Sequence, residues 1–210
     1  MFNKLIASFL LCVMLVCTPA CDDFSAEAQA VRDCWKNYIQ YTNDLDGEKA
    51  VELLSAASIA RYENIKKLAL DADASQVKVL SNVDQYELLS MRAGLTRSQL
   101  MKMDARAYIV YAVNEGWWTM EDAAVELGAI KIRKDVASAK IVDAVADVKL
   151  EFVRENGQWK LDEPASDRYF NDYLARLATR NNLSQTDLVV RLIDLEFGPQ
   201  KESKLFSPMR

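Results

Sequence analysis

An α+β fold is predicted from three observations. Apolar residues recur at helical spacing from residue 26 to about 116. The period then changes to alternation. An Asn156-Gly157 turn joins two alternating runs before the chain turns helical again after Pro164. Helices followed by a run of antiparallel strands pack with the helices on one face of a sheet.

The first helix is expected from about Ala26 to Asp44, where Val31, Trp35, Tyr38, Tyr41/Thr42 and Leu45 follow one face until Asp46-Gly47 breaks the pattern. Glu48 to Leu54 reads as a short second helix. Ser58 opens a third, with Ile59, Tyr62, Ile65 and Ala69 inward. Between 71 and 82 the brief alternation of Val77 and Val79 suggests a short strand or a loop. Asp84 to Arg92 is helical and stops at Gly94. Thr96 with Gln99, flanked by Leu95 and Leu100, has the form of a capping box with a hydrophobic staple. The helix or helix pair that follows ends near Gly116.

From Ala123 the residues alternate. Val125 and Leu127 share a face, as do Ile130 and Ile132. The slip at Gly128-Ala129 between them predicts a bulge. Val136 to Val145 is a second strand. Val148–Arg154 and Gln158–Asp162 form a hairpin whose two-residue loop pairs Phe152 with Leu161 and Arg154 with Trp159. That register places Leu150, Phe152, Trp159 and Leu161 on one face. Beyond Pro164, Phe170, Tyr173/Leu174 and Leu177 form a stripe. Ser184 and Asp187 begin a last, largely apolar helix that ends at Gly198-Pro199. Residues 199–210 read as a flexible tail.

Residues 1–20 have the three-part pattern of a secretory signal. Lys4 gives the positive start, Leu5–Val16 is an apolar run broken only by Ser8, and Thr18-Pro19-Ala20 supplies small residues before a cut. The run is shorter than the roughly 20 residues a span requires. Ala20-Cys21 resembles the cleavage motif of bacterial lipoproteins, with Thr18 standing where an aliphatic residue is usual. The resemblance implies acylation of Cys21, residues 21–25 as a tether, and a membrane-anchored envelope protein facing the periplasm or the exterior. Asp22 in the next position is associated with inner-membrane retention in enteric-type sorting. Ordinary cleavage after Ala20 is the alternative, and it leaves Cys21 free to pair with Cys34 in an oxidising compartment.

The net charge is −5, and it becomes −6 without Lys4. This balance and the lack of a basic stripe argue against nucleic-acid binding. With no histidine anywhere, Ser-His-Asp and Cys-His catalysis are excluded and the commonest zinc ligand is missing. No metal or other cofactor is expected.

Trp35-Lys36-Asn37-Tyr38-Ile39, Asp46-Gly47-Glu48-Lys49-Ala50 and Leu53-Leu54-Ser55, closed by Phe152-Val153-Arg154-Glu155-Asn156-Gly157-Gln158-Trp159-Lys160-Leu161, together resemble the nuclear-transport-factor-2-like (cystatin-like cone) superfamily. The resemblance covers about residues 26–163. It implies N-terminal helices packed on a curved antiparallel sheet, with residues 164–198 as an added helical extension. The stretch from about 75 to 120 is more helical than the plain fold. Such cones serve as isomerases, dehydratases, ligand binders and assembly modules, so the resemblance implies a pocket rather than an activity.

Tyr38, Tyr62, Tyr108 and Trp159 are the candidate pocket residues, although the ordinary role of such rings is core packing. The pair Trp117-Trp118 has two readings, an exposed ring for a membrane or partner and a clasp over the core. Asp104 and Asp122, near aromatics, are the candidate acids for cone-type isomerase chemistry, and Asp104 is equally placed to cap a helix. The function read from these features is an exported, lipid-anchored binding or interaction module with an envelope protein as partner. The alternatives are a pocket for a small apolar ligand and an isomerase- or dehydratase-like enzyme.

Overall fold

The computed structural model describes residues 25–118, 126–142 and 148–210. The signal segment, Cys21, Asp122, Val125 and the end of the second expected strand at Val145 lie outside the described residues. Ten helices and a four-stranded antiparallel sheet make up the described part, an α+β arrangement.

Helix α1 (Ala26–Asn43) starts at Ser25, whose hydroxyl accepts from the Ala28 N–H at 3.1 Å. Val31, Cys34, Trp35, Tyr38 and Thr42 form its buried stripe. Leu45, expected on that face, is exposed, because the chain turns at Asp44 and gives Leu45 a φ of 56°. Helix α2 (Gly47–Val51) is capped by Asp46 and lies close against α7, where a Cβ on Gly47 would be 2.5 Å from the Val110 carbonyl oxygen. Helix α3 (Ala56–Asp71) begins at Ser55.

Residues 74–78 form α4 rather than a strand, because Asp73 and Gln76 close a capping box. Val77 is buried while Val79, just past the helix, is 83 % exposed, so the two valines do not share a strand face. Helix α5 runs Asn82–Gly94, α6 Arg97–Lys102 behind the Thr96–Gln99 capping box, and α7 Ala105–Asn114.

The sheet is a meander of β1 (Lys131–Arg133), β2 (Val136–Lys140), β3 (Lys149–Glu155) and β4 (Gln158–Leu161). Leu127 pairs with Ile141 and Lys131 with Ser138, so one strand carries an extra residue across Gly128-Ala129. At the last hairpin Asn156 and Gly157 have φ of 50° and 80°, as a type I′ turn requires. Phe152 pairs with Leu161 and Arg154 with Trp159, and Leu150, Phe152, Trp159 and Leu161 are all buried. The Leu161 N–H donates to Leu53 at 2.8 Å and the Ser55 N–H to Leu161 at 2.9 Å, which stitches the α2–α3 junction to β4.

Helices α8 (Glu163–Arg180) and α9 (Gln185–Phe197) pack on α5, and α8 also lies against α3 and β3. The α8 stripe of Phe170, Tyr173, Leu174 and Leu177 is only half-buried. On α9, Leu188, Val189 and Ile193 are buried but Leu195 points outward.

The C-terminal segment departs from the expected flexible tail. Residues Glu202–Leu205 form α10, and Leu205 and Phe206 are buried. Arg92 is the physical reason. Its guanidinium, 1 % exposed, donates to the Leu68, Ala69 and Ala72 carbonyls at the end of α3 and to Leu205 at 2.8 Å. The Ala69 and Ala72 carbonyls at the helix C-terminus are thereby satisfied by a cation, which the helix dipole favours, while Leu68 also accepts from the Ala72 N–H at 2.8 Å.

Replacing Arg92 with Met keeps the length but takes the donor from the Ala69, Ala72 and Leu205 carbonyls. Arg92→Met is expected to cost about 2–4 kcal/mol in urea unfolding and to expose residues 200–210 to proteolysis at native conditions. An unchanged midpoint and an intact tail would show that Arg92 does not hold α10.

Candidate functional site

Five helices converge on a buried group of acids, tyrosines and one arginine. Helix α3 contributes Arg61 and Tyr62, α5 contributes Asp84 and Glu87, and α8 contributes Glu163 and Asp167. Tyr38 comes from α1 and Tyr108 from α7. Glu163 is the first residue of α8, after the cap Asp162, and its own N–H donates to Ser58 Oγ at 3.0 Å.

Arg61 bridges the carboxylates. Its Nε lies 3.0 Å from Asp84 Oδ1 and 3.1 Å from Asp167 Oδ2. The guanidinium also sits over the Tyr62 ring, 5.3 Å from its centre. Burial works against this charge, but Tyr62, Glu87, Asp167 and Glu163 together raise its pKa, so it remains a cation.

Burial pushes the Glu87 carboxyl up to about 8. Arg61 pulls the other way, and the Glu163 and Asp167 charges add to the rise. Burial likewise takes Glu163 to about 7, against Arg61 and hydrogen bonds from Tyr62 and Tyr38. Asp167 is raised to about 6, again chiefly by burial. The Tyr38 hydroxyl stands 3.5 Å from Glu163 Oε1, a long contact. Burial raises Tyr38, Tyr62 and Tyr108 well above an ordinary phenol, so all three stay protonated donors.

Among the described residues, four buried polar atoms here have no hydrogen-bond partner: Glu87 Oε2, Glu163 Oε2, the Tyr108 hydroxyl oxygen and Arg61 Nη2. The last is 2.9 Å from Asp84 Oδ1 but out of alignment. Such atoms are costly in a low-dielectric interior. Trp118 packs on Tyr62 and Tyr108, with ring centres 5.3 and 6.4 Å away. Trp117 stacks edge-on against Phe197 at 4.9 Å and fills the space beside Gly94, where a Cβ would meet the ring at 2.3 Å. Both tryptophans therefore clasp the core.

Tyr38 and Tyr62 are thus brought together on Glu163, and Tyr62 touches Tyr108 at 5.9 Å between ring centres. Trp159 is placed on β4, with the Arg154 guanidinium 4.8 Å above its ring. Asp104 is the N-cap of α7, accepting from the Ala107 N–H at 2.8 Å, and is no part of the acid group. Arg61, Glu87, Glu163 and Asp167 carry no sequence motif. The available signal was placement, since Glu87 falls among the buried Leu88, Leu89 and Met91 of α5.

Chemically, a neutral carboxylic acid beside phenols stores a proton and donates hydrogen bonds. Among the described residues no group of three or more acids, cysteines or histidines is arranged to hold a metal ion. No protein-family model matches the chain, and comparisons with curated proteins and with solved structures find no match.

The pH dependence has a defined sign. Glu87 ionises near 4.5 when unfolded and near 8 when folded, so the folded state holds more protons in between. Stability therefore falls as pH rises through that window, and Glu163 and Asp167 act in the same direction. Thermal melts are expected to drop by about 5 °C or more between about pH 5 and pH 8. Glu87→Gln should flatten that slope and raise the melting point at the alkaline end. A melting point that climbs with pH would contradict this assignment.

Proposed function

We propose that this chain is an exported protein of the bacterial cell envelope, tethered through acylated Cys21, whose folded part works by binding a partner or ligand. The observation that carries the reading is the order of segments at the N-terminus: a charged start, a 12-residue apolar-rich run from Leu5 to Val16, and Thr18-Pro19-Ala20 before Cys21. Two features of the fold support it. The first capped helix opens at Ser25, four residues after Cys21, so a lipid there would hold the domain within about 14 Å of the membrane surface. Cys34, the alternative partner of Cys21, is buried in α1 and forms no disulfide among the described residues. Burial pushes that thiol up to about 12, which makes it a poor nucleophile for disulfide exchange. Among the described residues no helix is long and apolar enough to cross a membrane.

The cone-type fold belongs to the same proposal. In its favour are α1 lying against both α2 and β4 and the closing hairpin in the expected register. A second reading, acid–base catalysis, draws on Glu87 and Glu163 beside the tyrosines. The binding reading is preferred because Tyr38 and Tyr62 already engage Glu163 from within the fold.

Mass spectrometry of the protein purified from a bacterial membrane fraction tests the anchor. A chain beginning at Cys21 with diacylglyceryl mass is expected, together with a Cys21→Ala variant that leaves the membrane fraction. Cys34 should resist thiol reagents until the protein is denatured. An unacylated chain carrying a Cys21–Cys34 disulfide would overturn the tether and leave export standing.

A further inference from the structure

A cavity of about 590 Å³ opens where the end of α5 meets the docked C-terminal segment. That is within the range of small-molecule sites, about 300–1,000 Å³. Its accessible cations are Arg97 on α6 and Lys204 and Arg210 in the C-terminal segment, with the buried Arg92 of α5 behind the wall. No carboxylate side chain is among the described residues that line it. Thr96, Ser203 and Ser207 add hydroxyls to the wall.

The bonding of these cations matters more than their number. Arg92 donates only to backbone carbonyls, and burial with no neighbouring acid brings its pKa down to about 10. Lys204 Nζ donates to the Ala93 carbonyl at 2.9 Å and to Gln200 Oε1 at 3.3 Å, both neutral. Arg97 binds the Leu70 and Met209 carbonyls, and its one acid contact, Asp71 at 3.2 Å, is largely exposed. An exposed pair of that kind offsets little charge. In a chain of net charge −5, positive charge is thus gathered in one concavity, and among the described residues its one carboxylate partner is the exposed Asp71 beside Arg97.

We propose that this cavity binds a phosphate-bearing ligand. The phosphate takes charge-assisted hydrogen bonds from Lys204 and Arg210 and hydroxyl bonds from Ser203 and Ser207. Leu95 and Met209 in the wall receive the apolar body attached to it. A bare phosphate leaves most of the volume unfilled, so an ester is the fitting class. The ester is either a soluble phosphate monoester or a phospholipid headgroup. This site names a ligand class for the binding function and is independent of acylation at Cys21.

The test is calorimetric titration of the full-length protein in non-ionic detergent at low salt. Three probes are used: sn-glycerol 3-phosphate, short-chain phosphatidylglycerol and short-chain phosphatidylcholine. The Lys204→Gln/Arg210→Gln double variant is compared with a Lys67→Gln/Lys102→Gln control that loses equal charge elsewhere. Arg210→Gln alone serves if the double variant fails to fold. Saturable binding of glycerol phosphate that weakens about tenfold or more in the double variant, and not in the control, is expected for a soluble ester. Binding of phosphatidylglycerol but not of the other two probes, with the same loss, assigns a lipid headgroup. Absence of saturable binding to both phosphate probes, equal loss in the control, or equal affinity for phosphatidylcholine overturns the proposal. Because the titration takes place in detergent solution, its outcome does not depend on whether Cys21 is acylated.

Discussion

The Arg61 guanidinium, set among more acids than it can neutralise, is the constraint on which the helical half of the molecule depends. Asp84 and Asp167 pair with it directly, and Glu87 and Glu163 feel its charge. Those four acids lie on two helices, α5 and α8, so one side chain on α3 fixes both against it. Removing one partner from a buried ionic group is far more damaging than replacing the whole group with apolar residues. Cohesion therefore comes with a fixed arrangement of charge, and the excess of acid is relieved by protons that stay on. Burial without a partner explains why Glu87 is held so far above an ordinary carboxyl.

The same logic, with the sign reversed, governs the far end of α5. Arg92 is buried with carbonyls around it and no acid. Helix α5 thus carries an acid-rich centre at Glu87 and a cation-rich end at Arg92, five residues apart in sequence. The first lies among the acids gathered round Arg61, and the second anchors the C-terminal segment.

Local signals in the sequence account for most of the elements. Thr96 with Gln99, Ser184 with Asp187, and Asn156-Gly157 each specify a boundary through bonds made within a few residues, and each is found where it was expected. What depended on distant contacts was not legible. The 74–78 helix was hidden because two valines two apart imitate a strand. The C-terminal segment looked disordered because its anchor, Arg92, lies more than a hundred residues earlier. In the site, tyrosines 38, 62 and 108 were singled out by type, whereas Glu87 and Arg61 read as ordinary helix charges. Only tertiary packing turns them inward, and a polar residue at an apolar-phase position is a weak signal on a helix with Gln85 and Arg92 on the same buried surface.

The most direct measurement of the central claim is the carboxyl ¹³C titration of Glu87 by nuclear magnetic resonance in the folded protein. A midpoint near 8 that falls toward an ordinary glutamate value on denaturation is predicted. A folded-state midpoint in the ordinary carboxylate range, about 4 to 5, would contradict the account, because it would mean that Glu87 is neither desolvated nor crowded by the acids around Arg61.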